Sequence, residues 1–319
     1  MSESMKNTRI AFFGSPRLAS ACLEELHRHF PVRLVVTQPD RAKGRGKRVS
    51  VTQVKATALE RHIPVYKDED VGDTLLEALR SHGIELIVVV AFGRILPVSI
   101  ITAPVYGSLN LHASLLPKYR GASPIEAALL AGETETGLTL QVMAPEMDRG
   151  DILASEWMRI EEHWTAEHLY EAMVSRAPGF LARSVREYMS GTLKPEPQND
   201  DQATYCTVIR KEHGRIDWGE TAEVIRNRIR AYSLWPVAFT WLDSKLLRVF
   251  NARPAACPGG GYKGPGEILR ADRAQGIIVQ TGEGVLGITD LQIENRRRMD
   301  FQLFINGYRE LEGKVLGTA

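Results

Sequence analysis

A two-domain α/β protein is predicted: a doubly wound, mostly parallel (Rossmann-like) sheet followed by a small β-barrel. Three features carry this reading. Short apolar runs alternate with stretches of helical period through residues 1–189. Ile84 to Ala91 (IELIVVVA) is an almost unbroken β-branched run, as expected of a central parallel strand covered on both faces. Beyond a polar, proline-rich stretch the chain turns to short β runs divided by glycine-rich turns.

In order, Thr8 to Gly14 (TRIAFFG) reads as a strand. Leu18, Cys22, Leu23 and Leu26 then recur at helical spacing. Gly14-Ser15-Pro16 joins the two, with proline where a dinucleotide fingerprint needs its second glycine, so NAD is excluded. Val32 to Thr37 is a second strand. It leads into QPDRAKGRGKRVSVTQVK, where Arg41, Lys43, Arg45, Lys47, Arg48 and Lys55 face only Asp40. Such a run is either a solvated face or a phosphate contact, since each cation that neutralises a phosphate releases counterions. Thr52 to His62 reads as helix, Pro64 to Tyr66 as a short strand and Val71 to His82 as helix. Phe92 to Pro97 (FGRILP) connects the central strand to the next helix.

Leu109 to His112 is the informative stretch. Polar Asn110 and His112 alternate with Leu109 and Leu111, so on a strand both polar side chains leave one face. Leu138, Leu140 and Val142 form a later alternating run that ends in Met147-Asp148-Arg149-Gly150-Asp151, which puts a carboxylate at the end of a neighbouring strand. A carboxamide donor, an imidazole and a carboxylate suit polarising a carbonyl and collecting a proton from an attacking amine. Taken singly, each fits a plainer role: a hydrogen-bonded core histidine, or a turn-forming aspartate. Arg120-Gly121 reads as a tight turn before a helix from Pro124 to Leu130, with Arg120 placing substrate or capping the loop. Ile152 to Ile160 is a further strand, and Thr165 the N-cap of a long helix to Met189.

The 319 residues are 44% hydrophobic and 25% charged, with a formal net charge of +1, so total charge does not advertise nucleic acid. Cys22, Cys206 and Cys257 show no CxxC spacing, which implies neither a zinc site nor a disulfide framework. No secretory signal or membrane span is read, and a cytoplasmic monomer without a metal is expected.

Residues 190–207, with Pro195, Pro197 and a run of polar side chains, read as a linker between a catalytic domain over 1–189 and a second domain over 208–319. The second opens with a helix bearing Val224, Ile225 and Ile229 beside Arg226, Arg228 and Arg230. The runs LLRVFNAR, GEILRA, GIIVQT and GVLGITDLQI follow. An OB-like barrel is the usual host for such contact with nucleic acid, and Arg296, Arg297 and Arg298 after the last run are candidate phosphate contacts.

SLNLHASLLPKYRGASP, followed by GLTLQVMAPEMDRGDIL, resembles the 10-formyltetrahydrofolate-dependent formyltransferase family. Asn110, His112 and Asp148 match that family's catalytic trio. The resemblance also implies a folate pocket from Phe92, Gly93, Ile95 and Leu96 and from Ser114, Leu115, Leu116 and Pro117. The loop from Gln38 through Lys55 is similar to an insertion in the branch of the family that acts on initiator tRNA. There Arg41, Lys43, Arg45, Lys47 and Arg48 are expected at the acceptor stem. The implied reaction moves the formyl group of 10-formyltetrahydrofolate to the α-amine of methionine esterified to initiator tRNA, for translation initiation. Ala144-Pro145-Glu146 departs from the family pattern. Two rivals stand beside this reading: a formyltransferase acting on a nucleotide sugar, which has no need of the basic loop, and a non-enzymatic RNA-binding protein, which has no need of the polar trio.

Overall fold

The computed structural model describes residues 7–43, 48–67, 70–259 and 263–317. The chain divides into two compact units. The first holds the chain up to Pro124 together with Glu135–Arg159 and Tyr170–Thr207. The second holds Ile125–Thr134, Ile160–Leu169 and Val208 onward.

The first unit opens with β1 (Ile10–Gly14), α1 (Arg17–His29) and β2 (Val32–Val36). Every residue of β1 is buried, and α1 turns Leu18, Cys22, Leu23 and Leu26 inward at the spacing that a helix face demands. The basic loop contains a short antiparallel ribbon, β3 (Arg41–Lys43) and β4 (Arg48–Ser50). Strands this short leave no periodic signal, which is why the sequence reads only as loop. α2 (Gln53–Glu60) is capped by Thr52, whose hydroxyl accepts from the Lys55 amide at 3.1 Å. The strand expected at Pro64 to Tyr66 is a single bridge between Val65 and Val35. α3 (Asp73–Ser81), β5 (Leu86–Val90) and α4 (Val98–Ile101) follow. After them come β6 (Ser108–His112) and β7 (Arg120–Gly121), and then α5 (Pro124–Leu130), which from Ile125 on is counted with the second unit.

β8 (Glu135–Val142), β9 (Ile152–Arg159), α6 (Ala166–Met189) and β10 (Tyr205–Cys206) complete this part of the chain. The main sheet has the order β2-β1-β5-β6-β8-β9. β2, β1, β5 and β6 run parallel, whereas β8 is antiparallel to both β6 and β9. Thr165 Oγ1 lies 2.9 Å from His168 Nδ1 at the start of α6. Residues 190–207, expected as a linker, belong to the first unit: Glu196 bridges Ile152, and β10 pairs in parallel with β7. No helix among the described residues is long and apolar enough to cross a membrane.

The second unit carries α7 (Ala222–Ala231) and the strands β11 (Ala238–Leu242), β12 (Lys245–Pro254), β13 (Ile268–Asp272), β14 (Gly276–Gln280), β15 (Val285–Ile293) and β16 (Met299–Asp300), followed by α8 (Phe301–Gly307). The sheet order is β11-β12-β15-β14-β13, antiparallel throughout, with β16 beside β15. Its core joins Ile225 and Ile229 of α7 to Leu247, Val249, Ile288 and Phe304. The arginines of α7 serve the unit itself. Arg230 Nε donates to the Trp164 carbonyl at 2.7 Å, and Arg226 Nη2 to the Glu162 carbonyl at 2.8 Å.

Within this core Trp218 Nε1 donates to Thr240 Oγ1 at 3.0 Å, and Thr240 is fully buried. Thr240→Val keeps the shape and leaves the indole N–H unpaired, which is expected to cost about 1–3 kcal/mol. Faster amide exchange in β11, with the first unit unaffected, is the measurement that checks it.

Candidate active site

Asn110 and His112 sit two positions apart on β6 and so share a face. In the register with β8, Asn110 stands opposite Gln141 and His112 opposite Thr139. Directly opposed residues share a face too. Beyond β8 the chain turns back through Asp148, whose φ of 52° lies in the left-handed region. Aspartate accepts that region more readily than most residues.

The Asp148 carboxylate is where these groups meet. Its Oδ1 accepts from Asn110 Nδ2 at 3.1 Å and from Gln141 Nε2 at 3.0 Å. Its Oδ2 accepts from the Gly121 backbone N–H at 2.9 Å and lies 3.6 Å from His112 Nδ1. Across the ring, His112 Nε2 is 2.8 Å from the Tyr119 carbonyl. A carbonyl only accepts, so Nε2 carries the proton and Nδ1 is the nitrogen turned to Asp148. The His112 and Asp148 side chains are 6% and 12% exposed, so water screens the pair weakly.

Chemically, this is an amide donor beside a proton acceptor. Asn110 spends one amide hydrogen on Asp148 and keeps a second. A proton arriving at His112 Nδ1 would leave an imidazolium between a carboxylate and a carbonyl oxygen. Such an arrangement suits a step in which a proton is taken up while negative charge grows on a nearby oxygen.

Behind the carboxylate lies Arg120, whose side chain is 1% exposed. It donates to Gln198 Oε1 from Nε at 3.1 Å and from Nη2 at 2.8 Å, to Asp200 Oδ1 at 2.8 Å and to the Tyr205 hydroxyl at 3.2 Å. Hydrogen bonds from Arg149 and then Arg120 hold the Asp200 carboxyl below its usual range. Sequence reasoning left Arg120 between two roles and did not single out Gln141 or Gln198. Gln141 had a signal, a polar residue near the end of an alternating apolar strand. Gln198 had none.

The other expected site residues are placed as follows. Phe92 and Leu96 are buried, Phe92 packing edge-on to Phe13, so they can offer a ligand little beyond their backbone. Ile95 is 78% exposed and leaves an apolar side chain free. The Phe92 carbonyl accepts from Gln38 Nε2 at 2.8 Å, and the neighbouring Gly93 has a φ of 74°. Ser114 donates to the Lys118 carbonyl at 2.6 Å, Leu116 is buried, and Leu115 and Pro117 are half-buried. Arg41, Lys43 and Arg48 lie on the β3–β4 ribbon, whereas Arg45 and Lys47 lie outside the described residues. Asp40, the acid in that loop, pairs with Lys55 Nζ at 2.5 Å and so ties down the root of the ribbon. Arg296, Arg297 and Arg298 are exposed between β15 and β16. Of these, Arg298 lies 4.2 Å from the centre of the Phe250 ring and pairs with Asp290, which raises its pKa. Among the described residues no group of His, Cys, Asp and Glu side chains could hold a metal ion.

Residues 8–185 match the family model described as formyl transferase, and residues 208–309 match that of the formyl transferase C-terminal domain. The chain belongs to the formyl transferase family. End to end it resembles curated proteins named methionyl-tRNA formyltransferase. That of Carboxydothermus hydrogenoformans is 40% identical over 307 residues, 96% of this chain and 99% of the relative. That of Clostridium perfringens is 38% identical over 310 residues, 97% of this chain and 99% of the relative. Within the family the chain groups with the methionyl-tRNA formyltransferases.

Solved structures share the fold at lower identity. An N-formyltransferase from Helicobacter canadensis, in complex with folinic acid and dTDP-3-aminofucose, matches with a TM-score of 0.66 and 20% identity, over 92% of this chain and all of the other. HypX from Aquifex aeolicus in complex with tetrahydrofolic acid matches with a TM-score of 0.60 and 19% identity, over 95% of this chain. The chain spans 47% of the length of that protein.

Proposed function

We infer that the protein transfers the formyl group of 10-formyltetrahydrofolate to the α-amine of methionine esterified to initiator tRNA. The observation that carries the chemistry is the convergence of Asn110 and His112 on the Asp148 carboxylate. Family membership directs it to formyl transfer. The folate supplies the activated formyl carbon, and the exposed Ile95 beside the turn at Gly93 offers an apolar edge to a flat ring.

An α-amino group has a pKa of roughly 7.7–8.0, so at pH 7 about a tenth to a sixth of it is neutral and ready to attack. Asn110 directs its remaining amide hydrogen at the formyl oxygen as charge develops there. His112, held at Nε2 by the Tyr119 carbonyl, takes up the amine proton at Nδ1, and Asp148 stabilises the resulting charge. The proton then passes to the nitrogen of the departing folate. Arg41, Lys43 and Arg48 of the ribbon strands, with Arg45 and Lys47 in the same run of sequence, suit the tRNA acceptor stem, which carries closely spaced phosphates. The reaction belongs in the cytoplasm, with charged initiator tRNA.

Asn110→Ala is expected to lower kcat by about 10²–10³-fold, the usual loss for one such donor, with folate affinity retained. Transfer of labelled formyl to charged initiator tRNA, beside charged elongator methionine tRNA, tests the whole reading. Formylation of the initiator alone supports it. Folate binding without transfer to either tRNA would move the acceptor to a small amine.

A further inference from the structure

We propose that Gln198 is the positioning residue of this site, locking the left-handed turn that aims Asp148 at His112. The proposal rests on the role given above to Asp148. Gln198 lies in the polar segment after α6, and its amide orientation follows from its partners. Its Oε1 accepts from Arg120 Nε and Nη2, and arginine only donates. Its Nε2 therefore points the other way, to the carbonyl oxygens of Asp148 at 2.8 Å and Gly150 at 2.7 Å, with Gln141 Oε1 more distant at 3.3 Å.

These bonds grip the backbone on both sides of Arg149, immediately after the residue at φ 52°. Gln141, lightly touched by the same nitrogen, donates to Asp148 Oδ1. One amide thus fixes the direction of the turn, and Arg120 fixes the amide. Arg120 in turn is neighbour to Gly121, whose N–H holds Asp148 Oδ2. Gln198 touches none of the reacting groups and acts through the aim of Asp148. A displacement of about 1 Å in a catalytic group can cost about 10²-fold in rate.

The informative variant is Gln198→Glu. It preserves an acceptor for the buried Arg120 and replaces the donor with an oxygen facing the Asp148 and Gly150 carbonyls. We expect kcat to fall about 10²-fold, with KM for both substrates and the thermal midpoint close to wild type. In an Asp148→Asn background the same change should cost no more than about twofold, because groups that act through one another are not additive. Equal losses in both backgrounds, or a wild-type kcat for Gln198→Glu, would overturn the proposal. Should Gln198→Glu unfold, Gln198→Met repeats the comparison, with Arg120 still held by Asp200 and Tyr205. Full activity in Asp148→Asn alone would instead remove the reading of the site on which the proposal rests.

Discussion

Asp148→Asn is expected to lower kcat by about 10²–10⁴-fold, the range of a lost acid–base group, while folding and folate affinity persist. The carboxylate receives Asn110 Nδ2 and Gln141 Nε2 on one oxygen and the Gly121 N–H on the other, with His112 Nδ1 beside the second. A carboxamide has a single oxygen, so whichever way it turns, its NH₂ faces a donor. His112 also loses the negative charge that balances a proton on Nδ1. Single-turnover formylation of initiator tRNA separates this step from binding and release. A rate within tenfold of wild type would take Asp148 out of the chemistry.

Gly121→Ala is expected to damage both stability and activity. Gly121 has a φ of 121°, which side-chain-bearing residues rarely adopt, and an added Cβ would stand 2.1 Å from the Cys206 carbonyl oxygen. β7 and β10 would have to separate, taking with them the amide that holds Asp148 Oδ2. Strain of this kind costs of order 1–3 kcal/mol before the clash is counted. A loss of about 2–4 kcal/mol, seen as a midpoint lowered by roughly 5–15 °C, is the expected result. An unchanged midpoint would mean that the β7–β10 pairing yields freely.

Much of the fold is legible because burial on both faces leaves a plain mark. β1 and β5 are unbroken apolar runs, β2 is apolar but for Arg33, and α5 spans the Pro124–Leu130 read from the sequence. That Asn110 and His112 share a face follows from the strand period alone. The direction of β8 is not legible, since an alternating strand reads alike both ways. The rule that ligands lie beyond the carboxyl ends of strands applies to the parallel set. Asp148 instead arrives by a return loop from an antiparallel strand.

Arg120 fails for a different reason. Its acceptors lie 78, 80 and 85 residues away, on Gln198, Asp200 and Tyr205, in a stretch whose polar composition resembles a solvated tether. Composition registers affinity for water, and it cannot register a preference for a buried guanidinium over water. The basic loop was visible as a cluster of charge, but the pairing of Asp40 with Lys55 at its root was not.

The parallel addition of β10 to β7 bears on where a catalytic fragment can be cut. A chain trimmed at Met189, where the composition changes, would retain Asn110, His112 and Asp148 and look complete by inspection. It would lack Gln198, Asp200 and the Tyr205–Cys206 strand. Arg120 would then be stripped of its acceptors and Gly121 of its pairing partner. A fragment that keeps the bonds around Arg120 and Gly121 must extend at least to Cys206, past the end of the amino-terminal family match at residue 185.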